Sequence, residues 1–155
     1  MKLINLYSNR AFEAEIVEVD DEEFEMLKHS DQFEFDWYKE KGSEVYKIVE
    51  KYQDTPEIFG LISISDITDE FRIHINLVEN SNDNKGKNKK NDRVAGCLLA
   101  FACSIAFERG YLGFTSLVPK TELIGLYVNK YGFQQYGRQL AIDQQDAIDL
   151  IKKYL

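Results

Sequence analysis

The stretch from Val94 to Phe107 is nearly all apolar, too long for a strand, and rich in Ala, Leu and Cys. That pattern predicts a helix buried on every side, around which the rest of the chain must be built. Arg109-Gly110 closes it, with a cation in the last turn and glycine at the exit. Just upstream runs a basic, turn-rich segment, Asn84-Lys-Gly-Lys-Asn-Lys-Lys-Asn-Asp-Arg93. A helix start offers unbonded N–H groups and partial positive charge, and small residues such as Ala95 and Gly96 let a ligand come close to them. Lysines beside such a start, in an otherwise acidic chain, read as a phosphate-binding turn.

The charge is unevenly spread. Residues 1–70 hold 19 Asp and Glu against 7 Lys and Arg, whereas residues 71–155 hold 8 against 12. The overall charge of −8 argues against a nucleic-acid partner, because neutralising phosphates supplies most of that affinity. One local anion site in the basic half remains compatible with it. The acidic half reads either as a solubilising face or as a surface that attracts cations. At 155 residues, 44% hydrophobic and 13% aromatic, one folded domain spanning residues 1–155 is expected. Met1–Asp20 has no apolar run suited to a signal peptide and no segment has membrane-span length without charge, so a cytoplasmic protein without a membrane partner is expected. Cys97 and Cys103 lie six positions apart on one helix and point in different directions, which excludes a disulfide between them. They read as small buried hydrophobes in a reducing compartment.

Strands are expected at Phe12–Val19, Glu44–Tyr52, Glu57–Ser65, Phe71–Val78, Gly113–Val118 and Phe133–Ile142. Gln32–Tyr38 reads as an extended aromatic segment. Helices are expected at Asp20–Lys28, across the apolar stretch, at Thr121–Tyr131 and at Gln144–Tyr154 after an Asp143 cap. Strands first, then strand–helix–strand–helix–strand, is an α/β order with a mixed sheet.

At this point the chain resembles the GNAT family of N-acetyltransferases. The family's acyl-CoA signature, Gln/Arg-x-x-Gly-x-Gly/Ala, is matched here by Lys90-Asn-Asp-Arg-Val-Ala95, followed by Gly96-Cys-Leu-Leu99. Glu108-Arg-Gly-Tyr111 looks like the usual end of that helix. Leu126-Tyr127 with Lys130-Tyr-Gly-Phe133 looks like the family's Phe/Leu-Tyr-x-x-x-x-Gly-Phe element. The likeness covers about Glu57 to Tyr136. Lys90 stands in place of Gln or Arg, and Arg93 replaces the central glycine. Arg93 enters glycine-only backbone conformations at a cost, so ordinary helix geometry is expected for it.

The resemblance implies a GNAT-like mixed, mostly antiparallel sheet flanked by helices on both faces, with the Leu77 and Gly113 strands parallel and joined by the apolar helix. It implies acetyl transfer from acetyl-CoA to a primary amine of a small molecule or a protein, by direct attack in a ternary complex. Leu77 and Val78 would carry the pantetheine arm through their backbone, and Arg93, Val94, Ala95 and Gly96 would offer amides to the pyrophosphate. Lys90 would meet the adenosine-side phosphates, with Lys85, Lys87 and Lys89 as weaker candidates. Tyr127 takes the acid position, where a phenol would donate to the departing thiolate; its other reading is an aromatic packed on a helix face. Glu79 takes the position of the base, its pKa raised by burial; its other reading is a solvated strand-end carboxylate. His74 on the same strand reads first as a structural residue. No zinc spacing, Walker-type loop or Ser/His/Asp arrangement is present. The rival to an enzyme is a GNAT-fold module that binds CoA or a protein partner without catalysis.

Overall fold

The computed structural model describes residues Met1–Leu155. The strands are β1 (Lys2–Asn5), β2 (Arg10–Glu18), β3 (Glu44–Glu50), β4 (Ile58–Ile67), β5 (Arg72–Asn80), β6 (Asn91–Asp92), β7 (Thr115–Leu117), β8 (Gln134–Tyr136) and β9 (Gln139–Ile142). The helices are α1 (Asp21–Leu27), α2 (Val94–Glu108), α3 (Ile124–Tyr131) and α4 (Gln144–Tyr154). One nine-stranded sheet takes the order β6-β1-β2-β3-β4-β5-β7-β9-β8. The pairs β1–β2, β1–β6, β2–β3, β7–β9 and β8–β9 are antiparallel, and β5–β7 is parallel. The expected mixed, mostly antiparallel α/β fold is therefore present, with α2 as the crossover between its parallel strands.

Contacts divide the chain into two compact units, Met1–Ser63 with Leu77–Leu98 and Ile64–Asn76 with Leu99–Leu155; β4, β5 and α2 contribute to both. In the first, Val19, Phe24, Trp37, Val45 and Leu61 form an apolar cluster against which Leu27, Phe33 and Leu77 pack. The helix α1 is fixed at its start by a capping box: the Asp20 carboxylate accepts from Glu23 N at 2.8 Å, and the Glu23 carboxylate accepts from Asp20 N at 3.1 Å. Two elements here escape a reading of the sequence. The first strand, β1, is short, and the residue pair β6 gains its strand character only by pairing with β1 at Ile4↔Asp92 and Asn5↔Asn91. Gln32–Tyr38 is not extended. It bends and ends in a 3-10 turn at Trp37–Glu40, because Trp37 folds into the core at 1% exposure.

In the second unit, Ala100, Ala102, Cys103 and Ala106 of α2 are fully buried. Small residues on this helix permit close packing, and Gly113 has the same role at its exit. A Cβ at Gly113 would lie 2.5 Å from the Phe107 ring and 2.9 Å from the Ala147 Cβ, and its φ is +76°. The expected single strand Phe133–Ile142 is instead a hairpin, β8–β9, turned at Gly137 with φ +64°. Strands of three and four residues separated by one Gly-Arg pair read in sequence as a single run. The expected Thr121–Tyr131 helix begins with a 3-10 turn at Thr121–Leu123 before α3.

Candidate active site

The start of α2 is the best-defined feature. The first intrahelical hydrogen bond runs from Cys97 N to the Arg93 carbonyl at 3.0 Å. The N–H groups of Val94, Ala95 and Gly96 have no intrahelical acceptor and no hydrogen bond to another group of the protein. No acidic residue stands in the first turn to compete for them. Val94 is buried, Ala95 half-exposed and Gly96 buried. Three adjacent donors at the positive end of a fifteen-residue helix suit an anion.

Arg93 corrects an expectation. It does not continue the helix backwards in ordinary geometry; its φ is +81°, in the left-handed region that favours glycine. Arg93 thus takes a glycine-favoured backbone at the position where the signature has glycine. The Arg93 side chain helps to hold it there, Nε donating to the Lys2 carbonyl on β1 at 3.0 Å.

The loop before it is tied down along its length. Leu6 N donates to the Lys90 carbonyl at 2.7 Å, Lys90 N to the Asp83 carbonyl at 2.8 Å, and Asn91 N to Asn84 Oδ1 at 3.0 Å. Its lysines divide into two groups. Lys85 pairs with Glu79 at 2.6 Å and Lys89 with Asp92 at 2.8 Å, so neither has an uncommitted charge. Lys87 and Lys90 carry no ion pair, which leaves Lys90 as the unpaired cation nearest in sequence to α2.

On the β7 side, the ladder of β5 ends at Ile75↔Leu117. The backbone of Leu77 and Val78 continues beyond that last pair, half-buried, with its β4-side neighbour still bonded at Ser81 N to the Phe59 carbonyl. An unpaired strand edge of this kind accepts an extended amide-bearing chain.

Glu79 brings a second correction. Its side chain is 2% exposed, and each carboxylate oxygen takes two donors. Oε2 accepts from Glu34 N at 2.7 Å and Lys85 Nζ at 2.6 Å; Oε1 accepts from Phe35 N at 3.2 Å and Trp37 Nε1 at 2.8 Å. Burial pushes its pKa up, but the Lys85 bond and the three N–H donors outweigh burial, and the net shift is downward. The expected elevation toward neutral pH is therefore wrong for this carboxyl.

In the second unit, Tyr127 is 9% exposed on α3, edge-on to Phe133 at 5.8 Å and beside Tyr131 at 5.9 Å. Burial raises its pKa, and no hydrogen bond from the protein contributes. Its hydroxyl is a neutral donor without a partner. His74 has its pKa lowered by burial and by the Arg72 guanidinium, and its Nδ1 lies 2.8 Å from Ser116 Oγ. That arrangement gives the ring a structural partner on the neighbouring strand.

One necessary residue left no sequence signal. A Cβ at Gly60 on β4 would lie 2.8 Å from Val94 Cγ1, 3.0 Å from Leu98 Cδ1 and 3.2 Å from the Glu79 carbonyl. Glycine there lets the first turn of α2 settle against β4, and only the packed structure reveals that need.

No protein-family model matches the chain, and no curated protein matches its sequence. Solved structures do match. AtaT, in complex with acetyl-methionyl-tRNAfMet, aligns with a TM-score of 0.60 over 90% of this chain and 99% of its own, at 11% identity. A GNAT family acetyltransferase from Brucella melitensis, in complex with acetyl-CoA, aligns with a TM-score of 0.56 over 84% of this chain and 88% of its own, at 10% identity. At such identities the likeness is one of fold, and the chain has the fold of the GNAT acetyltransferases.

Proposed function

We propose that the protein is a cytoplasmic N-acetyltransferase that moves the acetyl group of acetyl-CoA to a primary amine. The observation that carries this reading is the entry to α2: three unbonded amides reached through a residue held in glycine's conformation at the signature position. Those amides and Lys90 suit the pyrophosphate and the adenosine-side phosphate, and the Leu77–Val78 backbone suits the pantetheine amides. The acceptor ammonium first gives a proton to solvent. The neutral amine attacks the thioester carbonyl carbon and a C–N bond forms. The nitrogen releases its second proton to solvent, and the C–S bond breaks as the tetrahedral intermediate collapses. Tyr127 donates its phenolic proton to the departing sulfur and regains one from solvent. Its raised pKa keeps it protonated, so its contribution comes from position rather than acidity.

The acceptor follows from charge. The 19 Asp and Glu of residues 1–70 favour a cationic amine over an anionic acceptor. The expectation of no nucleic-acid partner conflicts with AtaT, a protein with this fold, which is complexed with a tRNA bearing an acetylated methionyl group. An aminoacyl group also presents a primary amine. The test is CoA-thiol release from acetyl-CoA with polyamines, aminoglycosides, protein amino groups and aminoacyl-tRNA as acceptors. Acceptor-dependent release that Tyr127→Phe depresses supports the proposal. No release with any amine, despite CoA binding, favours a CoA-binding or protein-interaction module, the reading that the missing signature glycine supports.

A further inference from the structure

The saturated carboxylate of Glu79 has a position that a proton acceptor would not need. A general base must aim an unoccupied lone pair at the substrate, whereas all four acceptor directions of Glu79 meet donors of the protein. Three of those donors belong to one strap, Asp31–Trp37, and the fourth is Lys85 on the loop that leads to α2. The strap and loop are joined at further points. Asn82 N donates to the Gln32 carbonyl at 2.7 Å, Asn82 Nδ2 to the Asp31 carbonyl at 2.6 Å, and Asp83 N to Gln32 Oε1 at 3.3 Å. Lys85 also donates to Asn82 Oδ1 at 3.2 Å. From Asp83 the chain of bonds continues to Lys90, three residues before Arg93. The strap residues meanwhile line a cavity of about 440 Å³, with Leu27, Phe33, Glu34, Asp36 and Tyr38 in its wall.

We propose that Glu79 is a positioning residue: with Lys85 it fastens the strap Asp31–Trp37 to the loop Asn80–Lys85, so that anion binding at the start of α2 and acceptor binding in the strap-lined cavity are coupled. The identity of the two ligands rests on the acetyl-transfer reading, whereas the fastening is a property of the free protein. Coupling of this kind is reciprocal: what orders the loop orders the strap, and the converse. Glu79 takes no proton in the reaction and acts through the backbone of Glu34 and Phe35.

Hydrogen exchange at the Glu34 and Phe35 amides reads the fastening directly. In the free protein, Lys85→Met should speed exchange of both by about tenfold. Saturating CoA should slow their exchange in the wild type by about threefold or more and leave it unchanged in Lys85→Met, although that variant still binds CoA. With any amine the wild type acetylates, Trp37→Phe and Glu79→Gln should raise the acceptor KM by about tenfold, hold kcat within about threefold and leave the pH profile in place. Equal amide exchange in wild type and Lys85→Met overturns the fastening. Exchange that is indifferent to bound CoA overturns the coupling. A Glu79→Gln variant that loses kcat by about a hundredfold at constant acceptor KM, together with a limb of the pH profile, makes Glu79 the base after all. Were CoA not to bind, the acetyl-transfer reading and the coupling would both fall, and the exchange arm in the free protein would still decide the fastening.

Discussion

Arg93 holds a left-handed backbone, φ +81°, at the position where the resembled motif has glycine. Left-handed backbone costs a non-glycine residue about 1–2 kcal/mol, of the same order as the net value of one hydrogen bond such as that from Arg93 to Lys2. The two nearly cancel in the native protein. Arg93→Ala should therefore retain the strain and lose the bond, whereas Arg93→Gly loses both. Urea unfolding should find Arg93→Gly more stable than Arg93→Ala by about 1 kcal/mol, even though glycine's unfolded-state entropy works against it. The opposite order would mean that the backbone at 93 is not left-handed in solution. At the acid position, Tyr127→Phe should lower kcat by about 10- to 100-fold with CoA affinity nearly unchanged, since only a hydroxyl without a protein partner is removed. Glu79 makes a prediction about pH. Its folded pKa lies below the ordinary value of 4.5, so its stabilisation is complete above that pH and is lost as pH falls through the lower folded value. Urea midpoints measured through the acid range should drop more steeply for the wild type than for Glu79→Gln. Sequence alone located Glu79 at the end of its strand but could not assign its partners, because Glu34, Phe35 and Trp37 stand 42 to 45 residues away and two of them bond through backbone.

At the scale of elements, α2 is the piece that sequence discloses best, because an apolar run of that length has few other ways to fold. It is fixed in place by contacts that sequence hides. A methyl group at Gly60 meets Val94 and Leu98 at 3.0 Å or less, so Gly60→Ala should cost about 1–3 kcal/mol by overpacking and should weaken CoA binding by moving the first turn of α2. Thermal unfolding and CoA titration of that variant check both parts; unchanged affinity would show that the turn does not set the anion site. The helix also explains its thiols. Burial pushes Cys97 up to about 11 and Cys103 to about 12, so neither should react with a thiol reagent at pH 8 until the protein unfolds. The elements that sequence misplaced share a cause. The residues of β6 become a strand only through β1, the strap bends only because Trp37 and Glu79 draw it inward, and β8–β9 turns at a glycine between two short strands. Each depends on a partner distant in sequence or on one backbone angle.

For the whole molecule, an acidic first half and a basic second half accompany a fold shared with the Brucella melitensis protein in complex with acetyl-CoA. No helix is long and apolar enough to cross a membrane. Salt should weaken acceptor binding, because attraction between a cationic amine and a carboxylate-rich surface is screened over about 8 Å at physiological ionic strength. The proposed activity depends on one ligand entering at α2, and titration of CoA against melting temperature measures that most directly. A ligand that binds the native state alone stabilises it by about 2.7 kcal/mol at a hundred times its Kd. The melting temperature should rise with CoA concentration in the wild type, and Gly96→Leu should abolish the rise while the protein remains folded. No shift at millimolar CoA in the wild type would contradict the account.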